Sequence, residues 1–460
     1  MAFQTPPLIA RRRALLGIGG GLALASTRWR DAAGAASPVG IRSDRPARSC
    51  ILVYLLGGPP HLDSFDPKPL AADEVRGPFD VIPTAVSGVH FSEHLPRLAT
   101  GLDRFSLVRS VSHGNSNHTP MIYYTLTGRE TAVPERDNDI RPPQRTDFPH
   151  LGSVIDHLIG SPLPIPGYVA IPEVAIRSSV SGEFKRVRSP LRGGAAGFLG
   201  ARHDPLAVNG EPGDPESVAA FVPPKELSEL QQSRRASLLS AIDRGQRATR
   251  SGAYEELRDQ ALVLTGTSGA ARRLLTLDDE PASLRARYGT HRFGKALLVA
   301  RRLAEAGVPL IAVHFNEMTV CDGWDTHSKN FEACRPELLP MLDQSLSALL
   351  EDLEQRGRLD STLVACHGEF GRTPKINKNA GRDHWGPCSS TLLAGGGIRG
   401  GVVHGESDAI GAYPVRDLVD PVDIHATLYH CLGLDPRAHI RDYEGRPWQI
   451  SNGRVLSELL

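Results

Sequence analysis

The sequence predicts an α/β fold, a doubly wound and mainly parallel sheet between helices, with a helical insertion. Three observations predict it. Apolar runs of strand length recur without polar alternation: CILVYLL at 50–56, VPLIAVHF at 308–315, TLVAC at 362–366 and TLLAG at 391–395. Such strands are covered on both faces, as parallel sheets are. Amphipathic stretches of helical period stand between them, which implies helices packed on both sides of the sheet. Finally, 460 residues at 40% hydrophobic and 23% charged suffice for one large α/β domain or two modest ones.

Each element carries its own signal. The run at 50–56 stops at Gly57-Gly58-Pro59-Pro60. Residues 129–290 are less regular. There, 130–149 is polar and proline-rich and reads as a surface loop, 223–275 is largely helical, and the whole stretch reads as an elaboration on the sheet. FGKALLVARRLAEAG (293–307) is the helix that feeds the strand at 308–315. Leu338, Leu342, Leu346, Leu349, Leu350 and Leu353 line one face of the next helix, and Gly357 suits its C-terminal cap. DPVDIHATLYHCLG opens the last clear helix, with Asp420 as N-cap and Pro421 in the first position.

At the N-terminus, Arg11, Arg12 and Arg13 precede a weakly apolar, glycine-rich run from Ala14 to Ser26. That run is too short to span a bilayer, which takes about 20 apolar residues. With the small residues Ala33-Gly34-Ala35, it reads as a twin-arginine signal over 1–35. The expected partner is the twin-arginine export machinery, and the expected destination is periplasmic or extracellular. No later segment reads as transmembrane. Lysine plus arginine equals aspartate plus glutamate, so net charge gives no reason to expect nucleic-acid binding. The six cysteines (Cys50, Cys321, Cys334, Cys366, Cys388 and Cys431) form no C-x-x-C pair, which argues against a structural zinc site. A Cys321–Cys334 disulfide and buried free thiols both remain open.

Polar residues collect after the predicted strands, where α/β sheets bind ligands. His61, Asp63 and Asp66 follow the first; Asp322, Asp325 and His327 follow 308–315; His367, Glu369 and Arg372 follow 362–366. Asp383 and His384 come just before 391–395, and His113 and His118 form a fifth group. So many carboxylates buried together would be unfavourable without a cation, and carboxylate with imidazole suits a divalent metal: zinc, manganese or calcium. Arg372, Lys375, Lys378 and Arg382 are placed to meet an anionic substrate.

The strings GGPPHLDSFDPKP, GWDTH, GEFGRTPKIN, GRDHW and LLAGGGIRGG resemble the signatures of domain-of-unknown-function family 1501 (DUF1501), in the alkaline-phosphatase-like superfamily with sulfatases. The resemblance runs over 45–460 and implies a single alkaline-phosphatase-like domain there. It implies a metal held by Asp63, by Asp325 (Asp322 standing as an alternative) with His327, by Glu369, and by His384 with Asp383 beside it. Phe370 stands where such sites carry a further histidine. HTPMIYYTLTG at 118–128 is similar to a sulfatase nucleophile loop, with His118 in the nucleophile position, Met121 for serine and Ile122 for arginine. A formylglycine mechanism is therefore not expected. His118, Thr119 and Arg372 are the catalytic candidates, with His118 as ligand, base or nucleophile. The reading that follows is an exported metal-dependent hydrolase of sulfate or phosphate esters, acting on a small-molecule or glycan anionic ester. Two alternatives stand beside it: a non-catalytic, metal-containing module that binds sulfated or phosphorylated glycans, and a secreted assembly partner.

Overall fold

The apolar runs form the centre of a sheet. The computed structural model describes residues 45–131, 141–163, 165–173, 175–178, 187–218, 268–315 and 323–460, with isolated positions between 231 and 238. The expected signal at 1–35, most of the stretch 223–275, and Asp322 and Cys321 with its pairing lie outside them. Among the described residues the main sheet has strands β1 (Ser49–Leu55), β2 (Phe105–Val111), β3 (Tyr168–Ile171), β4 (Leu206–Ala207), β5 (Leu310–Phe315), β6 (Thr362–His367), β7 (Ser389–Ala394) and β8 (Val403–His404). Their order is β8-β2-β7-β6-β1-β5-β3-β4.

The central three strands are buried along their whole length, as continuous apolar runs require. Ile51 of β1 sits between Val364 of β6 and Ile311 of β5, in parallel register. Only β7 runs against its neighbours β6 and β2; the other pairings are parallel. The fold is thus the mixed α/β class that the sequence predicts, with a mostly parallel sheet flanked by helices.

The main helices are α1 (His118–Thr127), α2 (Leu151–Ile159), α3 (Arg292–Glu305), α4 (Leu339–Gln355) and α5 (Pro421–Cys431). Leu342, Leu346, Leu349, Leu350 and Leu353 of α4 are all buried. Each such side chain contributes about 1.5–3 kcal/mol relative to exposure. Asp420 caps α5 as its sequence predicts, and Asp423 closes a capping box. Cys50, Cys366, Cys388 and Cys431 are buried free thiols.

One expectation changes here. The stretch 129–290 reads as an elaboration on the sheet, yet it supplies β3 and β4 to the sheet itself. The reason is length. Strands of four and two residues fall below the span over which an apolar run can be told from a loop.

The core also holds neutral histidines. His150 stacks on Tyr168 at 4.4 Å between centroids, and His425 Nε2 lies 2.8 Å from the Thr125 carbonyl oxygen. Burial drives the His150 pKa well down and takes His425 down to about 4. A folded-state pKa below the unfolded value means that the unfolded chain binds more protons. Stability is therefore complete above about pH 6.5 and is lost as pH falls below it. The urea midpoint should drop between pH 7 and 5, each proton contributing roughly 1.4 kcal/mol per pH unit. The histidine pair His150→Gln/His425→Gln should flatten that slope.

Candidate functional site

Four segments meet at one edge of the sheet. His118 follows β2, Asp325 and His327 follow β5, and Glu369 and Arg372 follow β6. His384 precedes the antiparallel β7, so it returns to the same edge. The loops lie close because Gly57 ends β1 at φ +112°, and a Cβ there would stand 2.5 Å from Asp325 N. HTPMIYYTLT, similar in sequence to a nucleophile loop, is α1 in full, starting at His118 and ending on the left-handed cap Gly128.

Asp325 is the hub. Its Oδ1 lies 2.6 Å from Arg372 Nη2 and 3.2 Å from both His384 Nε2 and His327 Nε2. Oδ2 faces His118 Nε2 at 3.4 Å. Burial disfavours its charge, yet the neighbouring His118 and His384 rings and the Arg372 charge hold the Asp325 carboxyl far below the usual range. It is a carboxylate at any working pH.

Both outer imidazoles are oriented from behind. His384 Nδ1 lies 2.8 Å from the Ser116 carbonyl oxygen, and His327 Nδ1 lies 2.9 Å from Asp383 Oδ1. Those partners only accept, which assigns the proton to Nδ1 in each ring and the lone pair to Nε2. The two Nε2 atoms are 2.8 Å apart, with Asp325 Oδ1 3.2 Å from each. Three acceptors this close repel one another unless a cation or proton stands between them. Bonds of about 2.0–2.1 Å to one ion give donor–donor edges of about 2.8–3.4 Å, so these separations fit a metal. His118, Asp325 and His384 also each offer a ligand atom within 4.8 Å of one another. Side-chain exposure rises from 7% at His118 through 13% at His384 and 27% at Asp325 to 44% at His327. The centre is thus open on the His327 side, as a reactive metal site is and a closed structural one is not.

His118 carries a second contact. Its Nδ1 lies 2.8 Å from Glu369 Oε1, which also accepts from Gly57 N at 2.8 Å. Glu369 Oε2 is buried and makes no hydrogen bond among the described residues. Burial pulls the His118 pKa down, but Asp325 and Glu369 outweigh it and push the ring up to about 9. Thr119 follows in the same turn and is buried.

Three predicted site residues have other partners. Asp63 is fully buried in a two-point pair with Arg382, each contact 2.8 Å, and accepts from Asn330 Nδ2 at 2.7 Å. Its two oxygens are thereby committed to protein donors. Arg372 is fully buried; besides Asp325 it bonds the carbonyls of Gly57, Gly58, Trp324 and Arg382. Arg382 bonds those of Val75, Thr373 and Pro374. Neither guanidinium faces a substrate; both hold loops, because a buried guanidinium needs acceptors for all its donors. His61 and Asp66 are likewise spent inside, on Gly411 and on Lys68, Arg109 and Ser407.

Asn377 is the residue that the sequence reading passes over. Its Nδ2 donates to Asp383 Oδ1 at 3.1 Å and to His327 O at 2.9 Å, and its Oδ1 accepts from Asn379 N and Gly381 N. An asparagine shortly before a glycine, as in INKNAG, is the signal that could have marked this turn. Asn377→Ala should weaken zinc binding by ~10–100-fold while leaving thermal stability nearly unchanged. Competition titration with a chromogenic chelator reads this directly.

Across residues 47–460 the sequence matches the family described as "Protein of unknown function (DUF1501)". The chain belongs to that family. Among curated proteins none matches the DUF1501 chain. Its fold is similar to the crystal structure of Ps i-CgsB, with 11% identity, TM-score 0.39, and 89% of this chain and 75% of the other covered. It is also similar to a phosphonate monoester hydrolase from Silicibacter pomeroyi, with 14% identity, TM-score 0.31, and coverage of 88% and 75%. A third similar structure is a lipoteichoic acid synthase from Listeria monocytogenes, with 9% identity, TM-score 0.34, and coverage of 90% and 91%.

Proposed function

We propose that this DUF1501 protein is an exported, metal-dependent hydrolase of anionic esters, of the sulfate or phosphate class. The convergence of His327 Nε2, His384 Nε2 and Asp325 Oδ1 within 3.2 Å of one another carries the reading. Those three side chains would hold the ion, and their two imidazoles would favour zinc or manganese over calcium, which takes oxygen ligands. A divalent ion supplies Lewis acidity there, acidifying water and offsetting negative charge on an ester oxygen.

The chain's own residues do the rest. Arg372 fixes Asp325, Asp383 with Asn377 fixes His327, and the Ser116 carbonyl fixes His384. Glu369 anchors His118 through Nδ1, so Nε2 points at the centre, and a ring held up to about 9 is protonated at neutral pH and placed to give a proton to the leaving oxygen. In this reading water makes the attack, rather than Thr119 or His118 itself. His118→Ala should retain the metal and lower kcat by ~10²–10⁴-fold against aryl phosphate or sulfate esters. A metal-loaded wild type that turns over none of a broad ester panel would leave binding without catalysis.

Export rests on Arg11–Arg13 and the apolar run after them. Among the described residues, no helix is long and apolar enough to cross a membrane. Fusing residues 1–44 to a reporter, with and without Arg11–Arg13 replaced by lysine, tests that part.

A further inference from the structure

A second pair of imidazoles stands apart from this centre, where α2 packs near the β3 end of the sheet. Asp156 and His157 lie in the last turns of α2, and His203 ends the short 3₁₀ turn Ala201–His203. His203 Nδ1 is 2.7 Å from Asp156 Oδ2. The other Asp156 oxygen accepts from Gly167 N at 2.7 Å, so the carboxylate is fixed and cannot swing away. Asp156 accepts only, so His203 carries its proton on Nδ1 and turns the Nε2 lone pair outward. That Nε2 lies 3.2 Å from His157 Nδ1.

We propose that His157 and His203 form a second metal site, taking a late first-row transition cation such as Cu²⁺ or Zn²⁺. The two rings meet at 87° with centroids 4.9 Å apart, so they do not stack, and one nitrogen of each lies 3.2 Å from the other. Two nitrogens on one ion at about 2.0–2.1 Å stand about 2.8–3.4 Å apart, which spans the observed separation. His203 and Asp156 are 13% and 10% exposed, while His157 is on the surface. The ion therefore has a fixed inner ligand, an outer ligand and a solvent side where water completes its shell. Imidazole nitrogen selects copper or zinc over magnesium or calcium. The arrangement repeats the carboxylate-behind-histidine plan of Asp383 and His327, and it does not depend on the hydrolase reading.

The alternative is a plain ring–ring hydrogen bond, and metal counting separates the two. Full-length protein is dialysed against micromolar Cu²⁺ and assayed by elemental analysis, as wild type, His157→Ala and His157→Gln. Glutamine keeps a donor for His203 Nε2 but removes the imidazole, so it decides the matter if the alanine variant folds poorly. Both variants should bind about one Cu²⁺ fewer per chain and lose the matching imidazole couplings in the copper spectrum, with ester turnover unchanged. Equal copper content in wild type and the folded variants would overturn the proposal.

Discussion

Asp63→Asn is expected to destabilise the fold by about 3–5 kcal/mol, while the folded fraction keeps its metal. Asp63 and Arg382 are both fully buried, and the carboxylate meets the guanidinium through two hydrogen bonds of 2.8 Å. Asparagine removes the negative charge and leaves a guanidinium in the interior with carbonyl partners alone. Desolvation of that unpaired charge is the source of the large effect. The pair braces the ground beneath the centre, since Asn330 links it to the loop after His327 and Arg382 precedes Asp383 in the chain. Urea unfolding with parallel metal analysis reads both parts. A stable variant that has lost its metal would place Asp63 among the ligands instead.

His384→Ala should have the opposite signature. The ring is held from behind by the Ser116 carbonyl and reaches Asp325 through Nε2, so its loss removes one of three converging donors, together with ring contacts to His118, His327 and Phe370 at the rim of the site. The fold should remain, with ester turnover falling by at least ~10³-fold as the ion's charge stabilisation disappears. The change should appear in kcat even at saturating substrate. Replacement by glutamine should not restore it, because an amide is a poor stand-in for a neutral imidazole ligand. Retained activity in His384→Ala would break the link between this centre and the chemistry.

The sequence makes the middle of the fold plain and its flank obscure, for physical reasons. β1, β5 and β6 are covered on both faces, so their residues are apolar throughout and stand out as runs. The start of α5 is equally readable, because Asp420, Pro421 and Asp423 are local capping chemistry. β3 and β4 are too short to register against the loops around them. At the site, Asp, Glu and His recur after strands, and Asp325, His327, Glu369 and His384 meet with His118 at one edge of the sheet. Partner choice is another matter. Asp63 and Asp325 look alike as aspartates in glycine-containing loops, yet one meets a guanidinium and an amide, and the other meets three imidazoles besides a guanidinium. That distinction comes from packing between distant segments, and no local pattern encodes it. The same holds for Arg372 and Arg382, whose positive charge suggests a substrate and whose donors are taken up by backbone carbonyls. The stretch HTPMIYYTLTG, similar in sequence to a nucleophile loop, is a helix with His118 as its first residue.

Elemental analysis of protein purified without added metal tests the central claim most directly. Wild type should carry about one zinc or manganese ion per chain more than His384→Ala, with both proteins equally folded by circular dichroism. Equal metal content in the two folded proteins, or none in wild type after incubation with excess zinc, would contradict a metal centre built on Asp325, His327 and His384.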